Sequence, residues 1–147
     1  MRLSEFDKTV RLIPGREIVD TYARMPENEN LFKRFKYLSP RHLENEEVLT
    51  VLDGKQIVGA AGLEKSPYEE NVYWMKYVEV DSRVREKGIA SKLIQAMFDF
   101  ARKRKTRLRS SSYSDMGDLR LKKVVDRVRT EYPDVPYKDA NDHTHFK

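Results

Sequence analysis

Gly88 sits among cations. Arg83, Arg85, Lys87 and Lys92 surround it within VDSRVREKGIASKL, residues 80–93, and Ser91 adds a hydroxyl. The stretch joins an apolar, aromatic-rich run to an amphipathic one, which predicts a strand-to-helix junction with the helix opening at the glycine. A helix N-terminus leaves about four backbone N–H groups unpaired and carries about half a positive charge, so it suits an anion. Glycine there lets phosphate oxygens approach the backbone. A pyrophosphate would rest mainly on the amides of residues 85–90, with the cations in support. The plainer alternative is a solvated basic loop whose glycine merely starts a helix. The loop contains no GxxxxGK[ST] and too few glycines for a dinucleotide fingerprint.

Other chemistry is sparse. The chain has no cysteine, which excludes disulfides and a thiol nucleophile. Asp142, His143 and His145 lie too close together near the chain end to make a strong metal motif. His42 lies in a polar stretch and reads as a surface residue. Ser110, Ser111 and Ser112 have no evident base partner.

The elements around the junction follow from periodicity. Residues 9–13 read as a strand ended by Pro14-Gly15. Ile18, Val19, Tyr22 and Met25 lie at helical spacing, and Leu31, Phe32, Phe35 and Leu38 suggest a second short helix before Pro40. EVLTVL at 47–52 and IVGAAGL at 57–63 are strands joined by an Asp53-Gly54 hairpin signal. The two glycines of the second strand leave room for a backbone or ligand to approach. VYWMKYVEV at 72–80 is the most strand-like run. Ala90, Leu93, Ile94, Met97 and Ala101 then form one apolar helical stripe. A strand is expected near residues 106–113, a helix over 121–132, an edge strand at 135–138, and a loose tail in ANDHTHFK. This β-α-α-β-β-β-α-β-α-β order reads as a mixed α+β fold with helices on the faces of a sheet.

The 147 residues suit one domain, 1–147, with its core over about 9–138. Hydrophobic residues make up 39% and charged residues 36%, and the net charge is +5. Such a surface suits an anionic ligand without choosing among nucleotide, nucleic acid and acidic protein. No run approaches the roughly 20 apolar residues of a membrane span, and the first residues lack a signal-peptide pattern. A cytoplasmic location and no membrane partner are the expectation.

Arg85-Glu86-Lys87-Gly88-Ile89-Ala90 has the form R-x-x-G-x-A, after a strand ending in VEVD and before a helix carrying Leu93-Ile94. This resembles the acetyl-CoA-binding segment of the GNAT superfamily of N-acetyltransferases, whose pattern is Q/R-x-x-G-x-G/A. The element order agrees over about residues 9–138, including the Asp-Gly hairpin in LDGKQIVG. The resemblance implies an α/β/α sandwich whose mostly antiparallel sheet splays into a V between its fourth and fifth strands. It implies that the pantetheine arm of acetyl-CoA bonds to the backbone of Val78 and Val80. The pyrophosphate would then meet Arg85, Glu86, Lys87, Gly88, Ile89, Ala90 and Ser91.

It further implies direct acyl transfer to a primary amine of a small molecule or protein, with a backbone N–H near Val80 donating to the oxyanion. Glu79 is a candidate general base. The alternatives are a structural or loop-anchoring carboxylate at Glu79, another acid such as Glu69 or Glu70, or a chain of waters. Strict alternation puts Tyr73, Met75, Tyr77 and Glu79 on one face and Trp74, Lys76, Val78 and Val80 on the other; a bulge would break that phase. Many members carry N-x-x-A-x-x-x-Y after the fifth strand, and this chain departs from it. Residues 110–117 lack the asparagine, and no tyrosine occurs in 118–130. Tyr113 is the candidate acid or thiol partner, or else a tyrosine packing on the cofactor or core. The departure leaves open an acyl-CoA-binding module with little catalysis.

The segment RKRKTRLR, residues 102–109, holds six cations in eight residues. It reads as a solvated helix end, or as contact with RNA or an acidic protein in a tRNA- or protein-interacting factor. No aromatic interleaving supports base stacking. A homodimer is compatible with the sequence. The acceptor region implied by the family spans about residues 21–40 and 134–142, where Phe32, Phe35 and Tyr37 suggest an apolar wall.

Overall fold

The computed structural model describes residues 9–84, 88–111 and 119–146. The strands are β1 (Thr9–Pro14), β2 (Glu46–Asp53), β3 (Gln56–Lys65), β4 (Val72–Val80), β5 (Arg107–Ser110) and β6 (Tyr137–Lys138). The helices are α1 (Gly15–Asp20), α2 (Leu31–Arg34), α3 (Pro40–Leu43), α4 (Ile89–Arg104) and α5 (Leu119–Arg129). Among the described residues the strands form one sheet in the order β1-β2-β3-β4-β5-β6. β1 to β4 are antiparallel neighbours. β5 joins β4, and β6 joins β5, in parallel. A parallel step needs a crossover, and α4 and α5 lie in the two connections.

Helices cover both faces, as the α/β/α expectation requires. On one face the α4 stripe of Leu93, Ile94, Met97 and Ala101 is fully buried against Val51, Ala61, Leu63 and Met75, with Val125 of α5 beside it. Each such large side chain contributes about 1.5–3 kcal/mol of burial. On the other face Ile18, Leu31, Phe35, Leu38 and Leu43 pack over Ile13, Val48, Leu52, Ile57 and Ala60. The strand glycines serve this packing. A Cβ on Gly59 would lie 3.0 Å from Ile89, so its absence lets α4 settle close to the sheet.

The helices before β2 are shorter than the spacing predicts. The first ends at Asp20 and passes into 3₁₀ turns at Tyr22–Arg24 and Pro26–Asn28. Asn28 explains the departure. Its buried side chain donates to the carbonyls of Tyr22 (3.0 Å) and Lys55 (2.9 Å) and accepts from the Ile57 N–H (2.8 Å). That stitches the segment to the β2–β3 hairpin. The second helix stops at Arg34, and Phe35 is extended. The N–H groups of Lys36, Tyr37 and Leu38 bond a carboxylate on β4 instead of helical carbonyls.

The chain end is anchored, not loose. Arg109 donates to the carbonyls of Asp142 (2.5 Å) and Thr144 (2.8 Å), and its guanidinium pairs with Glu69 at 2.9 Å. Phe146 lies against the cationic groups of Arg107, Arg109 and Lys138. Residues 102–105 of the basic run form an exposed helix end, where Arg102 pairs with Asp134 and Arg104 with Glu47.

Gly15 fixes how α1 meets α3. A Cβ there would sit 1.7 Å from the Leu43 carbonyl oxygen, a backbone atom that can yield only by moving α3. Gly15→Ala is expected to destabilise the fold by about 3 kcal/mol, seen as a lower urea midpoint. An unchanged midpoint would show that α1 and α3 are not locked together.

Candidate active site

β4 changes phase in its middle. Its pairing with β3 shifts register between Gly62 and Leu63, so Met75 opposes Leu63 while Tyr77 opposes Gly62. Lys76 is the extra residue, as in a β-bulge. Met75 and Tyr73 therefore pack on the α4 side, while Tyr77 packs on the α1–α3 side. Strict alternation, which put Tyr73, Met75 and Tyr77 on one face, fails at this point. Val78 and Val80 then lie on the α4 side.

The same place marks the end of the β4–β5 ladder. The last pair is Met75 with Ser110. Ser111 adds an N–H bond to the Met75 carbonyl at 3.1 Å and a hydroxyl bond to the Lys76 carbonyl at 2.9 Å. Beyond Lys76 no described residue of β5 pairs with β4, and the sheet opens into the expected V. The backbone of Val78 and Val80 faces that opening.

At the far end of β4 the chain turns into α4. Gly88 has φ +93°, a left-handed conformation that favours glycine. A Cβ there would meet nothing within 4 Å, so the space beside the backbone is open. No side chain caps the helix, and the first helical bond runs from Lys92 N–H to the Gly88 carbonyl. The N–H groups of Ile89, Ala90 and Ser91 thus point out of the helix end. Arg85, Glu86 and Lys87 lie outside the described residues, as does Tyr113. A cation that sequence reasoning missed stands here: Arg127 of α5 donates to the Ser91 hydroxyl at 2.9 Å. The two residues are 36 apart, and only the packing of α5 on α4 brings them together.

Arg83 is committed elsewhere. It bonds the Asp81 carboxylate through its side chain at 3.0 Å and its N–H at 2.9 Å. Asp81 is fully buried and also takes Nη1 of Arg34 from α2. Burial alone would raise its pKa, but the bonds from Arg83 and Arg34 overcome that and hold it below the usual carboxylate value.

On the α1–α3 face Glu79 accepts three backbone hydrogen bonds, from Lys36 (2.7 Å), Tyr37 (2.6 Å) and Leu38 (3.0 Å). Both oxygens are engaged, and the segment is pinned across β4. Tyr37 is thereby stacked on Tyr77, with centroids 6.2 Å apart and planes at 19°. Tyr77 lies over Gly62, where a Cβ would come within 2.4 Å of its ring. The close approach foreseen for the glycine-rich strand is made here by this ring.

The Tyr77 hydroxyl reaches across β3 and donates to Oε1 of Glu46 at 2.9 Å. Glu46, at the start of β2, is only 5% exposed. Burial pushes its pKa up to about 7, against the lowering effect of the Tyr77 bond, with Glu64 raising and Lys76 lowering it further. Tyr37, His42, Glu46, Lys76 and Tyr77 line a cavity of about 210 Å³. Nothing local in the sequence marks Glu46, since its partner is 31 residues away on a strand that is not its neighbour.

These features meet independent likenesses. Residues 15–115 match the model of the Acetyltransferase (GNAT) family. An aminoglycoside acetyltransferase from an uncultured soil metagenomic sample, solved with trehalose, superposes with a TM-score of 0.54 at 18% identity, covering 97% of this chain and 96% of that one. A Bacillus subtilis acetyltransferase solved with CoA gives 0.52 at 16% identity over 81% of this chain and 75% of its own. The ribosomal-protein-alanine N-acetyltransferase of Brucella melitensis biovar Abortus 2308 gives 0.51 at 18% identity over 82% and 89%. At such identities the likeness is one of fold. No curated protein sequence matches the chain significantly. The family match covers well over half of the chain and agrees with the splayed sheet and the glycine-opened helix: the chain belongs to the GNAT acetyltransferase family.

Proposed function

We propose that the protein transfers an acetyl group from acetyl-CoA directly to a primary amine of a small molecule or protein. One observation carries this reading. No described residue of β5 pairs with the edge of β4 beyond Lys76, and the helix that follows this strand starts without a side-chain cap at an exposed Gly88. An extended arm fits the first and a pyrophosphate the second.

In this reading the backbone of Val78 and Val80 holds the pantetheine arm as an added strand. The amides of Gly88, Ile89, Ala90 and Ser91 hold the pyrophosphate, together with Arg85, Glu86 and Lys87 of the same loop. Arg127 adds positive charge beside Ser91. The bound thioester supplies an activated acetyl carbonyl. A backbone N–H near Val80 polarises that carbonyl. Tyr113 is assigned to the departing sulfur, as proton donor or hydrogen-bond partner. Glu79 is assigned a positioning part, because three amides already occupy its oxygens.

Acetyl-CoA is expected to raise the melting temperature, and an amine panel is expected to give free thiol only when both substrates are present. Stabilisation without thiol release from any amine would leave an acyl-CoA-binding module. No stabilisation and no competition by CoA would overturn the family-based reading, and would favour a factor that uses the fold to contact RNA or protein.

Gly88→Val tests the cradle. A β-branched side chain in a left-handed conformation costs roughly 1–2 kcal/mol and would stand in the open space beside the amides. Calorimetric affinity for acetyl-CoA is expected to fall at least about tenfold, with the far-UV spectrum unchanged. Unaltered affinity would refute the cradle.

A further inference from the structure

We propose that the cavity between Tyr37 and Glu46 receives the reacting end of a primary amine, and that Glu46 is the base that takes up the amine's proton. This rests on the transferase reading above and names its acceptor site.

Position is the first argument. The cavity is lined by Lys76 and Tyr77 of β4. Those residues immediately precede Val78, and Lys76 is the one whose carbonyl closes the β4–β5 ladder through Ser111. The cavity therefore opens where the sheet splits. It lies on the α1–α3 face, where Tyr77 packs away from α4.

Capacity is the second. A base works best through a carboxylate oxygen that no donor holds. Glu79 has both oxygens on backbone amides. Asp81 has both on arginines. Glu69 has both on Arg109, with Phe146 N–H added. Among the described residues Glu46 receives one hydrogen bond, on Oε1 from Tyr77, and no protein donor reaches Oε2. A buried carboxyl with one oxygen left without a donor is costly unless something else comes to it.

Surroundings are the third. Tyr37 and Tyr77, stacked on each other, line the cavity with aromatic surface against which an alkyl arm can pack. The charged and titratable groups around Glu46 are Lys76 and Tyr77 on β4, Glu64 on β3, His42 on α3 and Tyr37, while Glu79 acts on Tyr77 from the same strand. Lys76 lies 3.5 Å from Glu64 and over the ring of Trp74, and Glu79 is held by residues 36–38. At about 210 Å³ the cavity is smaller than the roughly 300 Å³ of a site that encloses a whole drug-sized ligand. It suits a slim alkylamine arm, with the rest of the acceptor outside. Burial keeps both forms of Glu46 present near neutral pH, as a base working there requires.

The ammonium first releases one proton to solvent. The free amine's lone pair then forms the C–N bond while the carbonyl π pair moves to oxygen. One N–H proton passes to the Glu46 carboxylate. The oxygen pair returns, and the C–S bond breaks with its pair on sulfur. The thiolate takes a proton from Tyr113, which solvent replaces, and Glu46 releases its own to solvent.

The test uses Glu46→Gln in the full chain, with whichever panel amine gives thiol release in the wild type. kcat/KM at pH 7 is expected to fall at least about a hundredfold, the rising limb near pH 7 to vanish, and acetyl-CoA affinity to stay within about twofold. With Glu side chains ¹³C-labelled at the carboxyl, one resonance titrating near 7 is expected in the wild type, absent from the variant and shifted by phenethylamine. Folding has its own check. The native state favours neutral Glu46, so wild-type stability is lost as pH rises from about 4.5 through about 7. Glu46→Gln is thus expected to gain melting temperature over the wild type between pH 5 and pH 8. If it fails to fold, Tyr77→Phe serves, because loss of the lowering hydrogen bond moves the limb to higher pH. Retained turnover with the limb in place in Glu46→Gln, or an unmoved limb in Tyr77→Phe, overturns the assignment of Glu46 alone. No thiol release from the wild type, despite bound acetyl-CoA, overturns the transferase reading and this one with it.

Discussion

The extra residue in β4 is the constraint on which the rest depends. Without it Tyr77 would follow Met75 onto the α4 face, and Glu79 would follow Tyr77. With it, two polar side chains enter the α1–α3 layer just where β4 parts from β5. Gly62 makes the shift tolerable, since no other residue leaves room for the Tyr77 ring above β3. One local irregularity thus separates Val78 and Val80, on the α4 side, from the polar side chains of Tyr77 and Glu79 on the α1–α3 side, the two faces to which the proposed function assigns donor and acceptor. A regular strand offers both faces the same period and cannot do this.

Asp81 joins those two halves. Arg34 comes from α2, within the α1–α3 layer, and Arg83 belongs to the loop that leads to Gly88. Their shared carboxylate is fully buried. Removing one partner of such a group commonly costs about 3–5 kcal/mol, because a buried charge is left short of compensation. The loop toward Gly88 and the segment pinned by Glu79 are therefore held to a common frame at the end of β4.

Legibility in the sequence followed the range of the interaction. β4 was readable to its ends, because Val72 to Val80 is an apolar, aromatic run between turn residues. The Asp53-Gly54 hairpin and the α4 stripe were readable for the same reason: their signals lie within a few residues. The second helix was overextended because Leu31, Phe32, Phe35 and Leu38 are apolar at helical spacing. The competing partner for that backbone is Glu79, more than 40 residues on. Arg127 beside Ser91, and Phe146 under three cations, escaped for the same cause. In the candidate site, the helix start at Gly88 was legible because glycine there is a local demand. Tyr77 and Glu46 were not, because a β-bulge and a contact across a middle strand leave no local period to read.

Glu46 and Glu79 show how environment sorts two identical side chains that flank one tyrosine. Glu79 sits where a turn of chain offers three N–H groups, so its charge is satisfied and it acts as a clamp. Glu46 sits deeper and receives a single hydroxyl, so burial wins and its proton affinity rises into the neutral range. The bulge at Lys76 brings Glu79 to the face on which Glu46 of β2 already lies. The number of donors each one meets there then separates a carboxylate that holds backbone from one that keeps an oxygen open.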